Sequence, residues 1–225
     1  THTPASALER GPKGWVVRTP EGSVTAERVV LATNAYSDDL WPRLRRTFVP
    51  VKTWQMATTP LSDNVRKSVL PGRHALSDTR GDLQFARYDW EGRLVSGASL
   101  IFDVNSEERL KAHVGARLKR NFPQLGEVEW DFVWSGFLAM TPDYLPRLHV
   151  LAPGVFSWIG CNGRGVALAT AMGPVLAELA RGGAPENAPL PIMEPRPMPL
   201  HGLVTRFARS DLWRRRRLDA VEFGG

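Results

Sequence analysis

The sequence is poor in the residues that most often announce a chemistry. Its 225 residues include one cysteine, Cys161, so no internal disulfide can form and a reducing, cytoplasmic setting is expected. The five histidines (His2, His74, His113, His149 and His201) are scattered without metal-ligand spacing, so no metal is expected. There is no G-x-S-x-G nucleophile elbow, no Walker A loop and no G-x-G-x-x-G dinucleotide fingerprint. No apolar run approaches the roughly 20 residues that span a bilayer, and no signal peptide is visible. Thr1 is not an initiator residue, and the chain is expected to be cut from something longer. The net charge of +6 is not spread over the fold: residues 196–217 hold seven arginines and one aspartate, which accounts for all of it. There is thus no basic groove, and Arg214 to Arg217 beside Trp213 reads as a solvated tail helix, with nucleic-acid or membrane binding as the alternative.

What is present centres on residues 154–181. A short apolar strand, 155–159, is followed by a turn containing Gly160, Gly163 and Gly165, and then by a long helix of small and apolar residues. Such a turn leaves backbone N–H groups unpaired at the positive end of a helix dipole, where an electron-rich ligand edge can dock. The same turn also joins strand to helix in α/β proteins without any ligand. Gly165, Ala167, Ala169, Ala171 and Gly173 imply that something packs closely against this helix. Pro174, lacking an N–H, is expected to kink or split it near Thr170. Cys161 stands just before the helix; a buried filler is its expected role and a nucleophile the alternative.

Before this stretch, residues 14–19 and 24–32 read as a hairpin around Pro20, Glu21 and Gly22. Val29, Val30 and Leu31 suit a strand buried on both faces of a parallel sheet, ending at 32–35 before a short helix capped near Ser37 and Asp38. Ligands in open α/β sheets bind beyond the carboxyl ends of strands, so this break is a second candidate site edge. Residues 48–59 are extended, and 62–70 suggest one short helix capped by Ser62 and stopped by Pro71. A hairpin is expected over 83–88 and 93–100. Ser106 is read as the cap of an amphipathic helix with Leu110, Val114, Leu118 and Phe122 on one face. Residues 128–140 alternate as a strand, with Trp130, Phe132, Trp134, Leu138 and Met140 on its buried face and Gly136 interrupting it. After the helix at 165–181, five prolines in 184–199 predict an extended surface strap. The central stretch therefore reads as an antiparallel sheet inserted between two pieces of an α/β layer.

The run Trp134–Ser–Gly–Phe–Leu–Ala–Met–Thr–Pro–Asp–Tyr–Leu–Pro146, followed by Gly154 and Gly160–Cys–Asn–Gly–Arg–Gly165, closely resembles the C-terminal half of the D-amino-acid oxidase superfamily of FAD-dependent amine and amino-acid oxidoreductases. Residues 29–40 and 48–61 are similar to that family's late FAD-domain strand and the start of its substrate sheet. The proline strap and the tail resemble its γ-glutamylputrescine oxidase branch, near glycine and sarcosine oxidases. The resemblance implies an α/β fold: part of an FAD-binding Rossmann-like domain with an antiparallel substrate domain inserted. It divides the chain into 1–47 and 137–183 on the FAD side, 48–136 as substrate sheet, and 184–225 as strap and basic tail.

The resemblance also implies roles. Asn162, Gly163, Arg164, Gly165 and Val166 would face the flavin pyrimidine edge, with Thr33 and Asn34 nearby. The helix from Gly165 would stabilise negative charge there. Substrate would lie against the central sheet, with Trp54, Phe85, Arg87 and Tyr88 as candidate liners; Arg87 could hold a carboxylate, although a surface arginine is the simpler reading. In this family hydride passes to flavin and the resulting imine hydrolyses, so no catalytic side chain is named. Gly136 stands where some relatives carry a flavin-linked cysteine, which implies non-covalent FAD. The dinucleotide fingerprint would belong to a missing N-terminal segment, or to a subunit supplying it. The expected partner is a small amine or amino acid, with no nucleic acid and no membrane span. The rival reading is a non-catalytic, partner-dependent module lacking the ADP-binding half.

Overall fold

The hairpin expected over residues 14–32 divides between two sheets in the computed structural model, which describes residues 2–100 and 104–223. Strands β1 (Ala7–Gly11), β2 (Gly14–Thr19) and β3 (Gly22–Ala26) form an antiparallel meander. The chain then leaves it at Glu27 and Arg28, and β4 (Val29–Leu31) enters a different sheet. The switch is fixed from a distance, since Val29 N donates to Gly154 O. The expected short helix also moves: a 3₁₀ turn covers Asn34–Tyr36, and Ser37 closes it by donating to Asn34 O.

Then come β5 (Val49–Thr58), α1 (Asp63–Arg66), β6 (Leu76–Ser77), β7 (Phe85–Tyr88) and β8 (Leu94–Ala98). They are followed by α2 (Ser106–Asn121), β9 (Trp130–Met140), β10 (Arg147–Ala152), β11 (Val155–Ile159), α3 (Gly165–Arg181) and α4 (His201–Phe223). Two compact units result. One combines the chain through Val51 with Phe137–Thr205; the other combines Lys52–Gly136 with the chain from Arg206. The second unit's sequence thus interrupts the first, giving a mixed α/β fold with an inserted antiparallel sheet.

In the first unit a three-stranded sheet has the order β10-β11-β4, with β10 antiparallel and β4 parallel to β11. Leu148, Val155, Phe156, Trp158 and Ile159 from this sheet pack with Met172, Leu176 and Leu179 of α3. Val30 is more than one-third exposed, so β4 is not buried on both faces: it is the end strand of its sheet. α3 runs unbroken through Pro174, so the expected split does not occur. It stops at Gly182, whose φ of 102° favours glycine, and Arg28 Nη1 adds a cap by donating to Ala180 O at 2.9 Å. The proline strap runs beside β10, where Met193 N donates to Leu148 O and His149 Nδ1 donates to Met193 O.

In the second unit the sheet order is β6-β7-β8-β5-β9. Leu110, Val114 and Leu118 of α2 cover one of its faces together with Met56, Ala86, Leu94 and Ala98. Asn105, at φ 46°, takes the cap position read for Ser106. α1 is shorter than expected and is capped by Ser62, whose Oγ accepts from Val65 N. Asp89 closes the β7–β8 turn by accepting from Glu91 N and Arg93 N. On β9 the expected face is covered at Trp130, Leu138 and Met140 but exposed at Phe132 and Trp134, while Val133 and Ala139 are covered on the other face, so the alternation signals the strand but not a single buried side. The basic tail is not merely solvated. Arg216 Nε donates to Asp82 Oδ2 at 2.8 Å, and Asp219 accepts from Gly81 N and Asp82 N.

Candidate functional site

Because β4 and β11 are parallel, with Val29, Val30 and Leu31 opposite Val155, Phe156 and Ser157, their carboxyl ends lie side by side. Ser157 Oγ locks the pair by donating to Leu31 O at 2.9 Å. Beyond those ends Asn34, at φ 41°, turns its Oδ1 to accept from Gly160 N at 3.1 Å. Thr33 Oγ1 and Ser37 Oγ share a 2.7 Å hydrogen bond. The structure therefore ties Asn34 to the loop that opens α3, whereas the Thr33 side chain is bonded to Ser37. Gly160, read from the sequence as part of the turn, is the link to Asn34 that the sequence did not reveal. A Cβ there would lie 2.7 Å from Thr141 Cγ2, and φ is 93°, so glycine is required twice over.

Asn162 faces inward. Its backbone N donates to Ala139 O at 3.1 Å, its Oδ1 accepts from Thr141 N at 2.8 Å, and its Nδ2 donates to Gly160 O at 2.9 Å. Its side chain thus ties the loop to the end of β9 and leaves the backbone of the following residues outermost. Gly163 and Arg164 are exposed, and Val166 is 89% exposed. The first intrahelical donor of α3 is Leu168 N, bonded to Arg164 O at 3.0 Å, so the N–H groups of Gly165, Val166 and Ala167 have no acceptor within the helix. No side chain caps this end, and no acidic residue sits in its first turn. The result is an uncompensated positive helix end carrying free donors.

Free donors at a positive helix end are what an electron-rich ligand edge requires. At Gly163 an added Cβ would meet nothing within 4 Å, and at Gly165 only Cys161 Cβ at 3.5 Å, an ordinary contact. The fold itself therefore has room for a side chain at Gly165. Cys161 is a buried free thiol whose Sγ lies 3.9 Å from Ala139 O, which suits a filler beneath the loop.

The four residues read as substrate liners do not share one face. Register pairs Arg87 with Val95 and Tyr88 with Leu94, and Trp54 with Ala98. Phe85 and Arg87 consequently lie on the face away from α2, in company with Gln55 and Gly97. Trp54 and Tyr88 lie on the α2 side, packed against its core. Tyr88 Oη donates to Val69 O at 2.9 Å, and burial raises its pKa against the opposing charges of Arg66 and Arg73. Lys52 Nζ sits 4.5 Å from the Trp54 ring centroid. Arg87 is exposed and, among the described residues, has no ion-pair or hydrogen-bond partner. Gly97 makes room on the same face: a Cβ there would lie 2.1 Å from Trp54 O and 3.1 Å from Phe85 Cζ. Among the described residues no cluster of potential metal ligands occurs, and no helix is long and apolar enough to cross a membrane.

The sequence model of the family described as FAD dependent oxidoreductase matches residues 1–179. The chain belongs to that family. It is 31% identical over 170 residues to gamma-glutamylputrescine oxidoreductase of Escherichia coli (strain K12), covering 75% of this chain and 40% of that protein. It is 30% identical over 184 residues to the probable oxidoreductase OrdL of Rhizobium meliloti (strain 1021), covering 82% of this chain and 42% of that protein. The chain thus spans about two-fifths of the length of these curated relatives. Among solved structures, glycine oxidase from Geobacillus kaustophilus superposes with a TM-score of 0.64 at 22% identity, covering 81% of this chain and 49% of that one. The fold is accordingly that of an FAD-dependent oxidase: part of an FAD-binding, Rossmann-like domain with an antiparallel sheet inserted. The family is FAD-dependent, and its named relatives include enzymes of amines and amino acids.

Proposed function

We propose that this chain is the C-terminal portion of an FAD-dependent oxidoreductase that oxidises the C–N bond of an amine or amino acid. The observation that carries the reading is the bare start of α3, with Gly165, Val166 and Ala167 offering N–H groups next to a loop tied to Asn34. Thr33, Asn34, Gly163, Arg164, Gly165 and Val166 would hold the cofactor without a covalent bond, and Asn162 would fix the loop that presents them. Bound FAD would supply the hydride acceptor, and hydrolysis of the imine product needs no nucleophile from the protein. The N–H groups and helix dipole would favour negative charge at the ring edge. In the second unit, Phe85 and Arg87 are the substrate contacts, with Arg87 free to take a carboxylate. Trp54 and Tyr88 hold the sheet to α2.

The chain's share of its relatives' length, and the exposed small residues of α3, support one further part of the reading. An N-terminal segment carrying the dinucleotide fingerprint, or a subunit supplying it, would cover Ala167, Ala169, Ala171 and Gly173. The segments 1–47 and 137–183 would then form the FAD-side domain and 48–136 the substrate domain, with 184–225 as strap and tail.

The test uses the full-length polypeptide. It should purify with a flavin absorbance spectrum, and acid precipitation should release the flavin into the supernatant. Gly165→Asp should remove the flavin by setting a carboxylate at the ring edge, whereas Gly165→Ala, which the fold accommodates, should fold equally well. A full-length protein that is colourless and cannot be reconstituted with FAD would overturn the reading. A chain that remains apo yet captures a separate ADP-binding subunit would establish the partner-dependent alternative.

A further inference from the structure

The second face of α4 has a pattern of its own. One side of the helix is committed: Arg216 reaches Asp82 and Ser99 O, and Asp219 accepts from Gly81 N and Asp82 N. The opposite side presents Val204, Phe207, Asp211, Arg214, Leu218 and Val221, at successive spacings of three, four, three, four and three residues. That is a heptad seam, in which two apolar layers flank a charged pair on each side. Val204, Phe207, Leu218 and Val221 are all exposed, Phe207 at 63% and Val221 at 86%. The seam spans 17 residue steps, about 26 Å of helix.

The seam is also symmetric. Read backwards, its spacings are unchanged and its chemistry inverts onto itself: Val204 answers Val221, Phe207 answers Leu218, and Asp211 answers Arg214. We propose that this face of α4 pairs antiparallel with the same face of a second copy of the chain about a two-fold axis between Leu212 and Trp213, so that Asp211 of each copy meets Arg214 of the other. Such an interface is isologous, and every contact occurs twice. A parallel pairing would instead set Asp211 against Asp211 and Arg214 against Arg214, so the charged layers select direction as well as register. The flanking positions agree: in the antiparallel pair Arg215 lies opposite Ala208, and Arg217 opposite Ser210, with no like charges facing. Arg214 has the freedom to make the contact, since its side chain is 71% exposed and lies 3.5 Å from Asp211 of its own helix, whereas Arg215 holds Asp211 at 2.6 Å.

The experiment is charge reversal in the full-length polypeptide, read by sedimentation equilibrium. The unaltered protein should have twice the mass of one chain. Asp211→Arg alone and Arg214→Asp alone place like charges in the central layer, and each should weaken self-association on the order of a hundredfold. Mixing the two variants, or combining both changes in one chain, should restore the dimer. Direction is read separately: a mixture of Val204→Cys and Val221→Cys proteins treated with a bis-maleimide should cross-link unlike chains. A monomeric unaltered protein overturns the proposal, as does a dimer indifferent to both reversals. Cross-links between like chains overturn the antiparallel arrangement. Monomers that bind phosphatidylserine vesicles through this face would show that an anionic lipid surface, not a second copy, is the occupant.

Discussion

α2 and α3 are nearly equal in length, at 16 and 17 residues, yet they meet their surroundings in opposite ways. α2 buries Leu110, Val114 and Leu118, with Arg117 buried against Asp82, and turns its other charges outward, with Glu107 and Lys111 paired one turn apart. α3 buries Met172, Leu176 and Leu179 on one side, but its other side, Ala167, Ala169, Ala171 and Gly173, is exposed and small. From Gly165 to Ala177 it carries no charged residue at all. Solvent is the natural boundary of the outer face of α2. The outer face of α3 has the composition of an interior surface, where small side chains let backbones approach. One helix is polar where it meets solvent, and the other is small and apolar there, as the proposed function requires of a face with a second neighbour.

The sharpest way to break that contrast is to damage the polar side of α2. His113 and Arg117 of α2 converge with Arg216 on Asp82. Burial works against ionisation of Asp82, but His113, Arg216 and Arg117 together hold its pKa below the ordinary value. Arg117 is almost wholly buried, so Asp82→Asn leaves its guanidinium without the carboxylate it pairs with, Asp78 remaining as a weaker influence. The expected loss is about 3–5 kcal/mol. It should appear as a lower urea midpoint and as earlier proteolysis within α4. If α4 stays protected and the midpoint does not move, the cluster does not anchor it.

A smaller effect is expected on the α3 side. Asn162→Ala removes the acceptor for Thr141 N and the donor to Gly160 O, leaving buried backbone groups unsatisfied. That costs about 1–3 kcal/mol. Thermal unfolding measures it, and flavin retention in the full-length protein should weaken in step because the loop loses its tie. Unchanged stability would mean that the loop is held by its glycines and Asn34 alone.

The first unit should also respond to acid more gently than it does to losing Asn162. His149 is fully buried on β10 beside the strap. Burial lowers its pKa, the Met193 carbonyl pulls upward, and the charge of Arg147 adds to the lowering. The unfolded chain therefore takes up a proton that the folded one resists. The stability tied to neutral His149 is full above about pH 6.5, the ordinary histidine value, and declines as pH falls below it. His149→Leu should flatten the melting temperature across that acidic range. An identical pH slope in the variant would assign the effect to other groups.

Much of this architecture is legible from local pattern, and the failures have a common cause. The spacing of Leu110, Val114 and Leu118 gives α2, and Asp89 with Gly92 gives the β7–β8 turn, because both depend on neighbours in sequence. The division of residues 24–32 does not follow locally: it depends on Gly154, more than a hundred residues away, receiving Val29 N. The faces of Trp54 and Tyr88 are set by register with Ala98 and Leu94, which no period in the sequence reveals. On β9, alternation identifies a strand but cannot say which side is covered, since Phe132 and Trp134 look like core by composition alone. At the site, the glycines of the loop were readable, whereas the inward turn of Asn162 required Thr141 to be in view.

The smallest expected effect tests the contrast most directly. Ala169→Leu adds a large apolar side chain to the exposed face of α3. Ala169 is exposed among the described residues, and leucine is nearly as good a helix former as alanine. Stability should therefore change by no more than about 0.5 kcal/mol. In the full-length polypeptide the same substitution meets whatever that face was written to receive, and overpacking there should cost about 1–3 kcal/mol and loosen the flavin. The comparison needs both measurements, melting of the short chain and flavin retention in the long one. A leucine tolerated in both would mean that α3 is small on this side for no reason of packing, and that solvent is its boundary just as it is for α2.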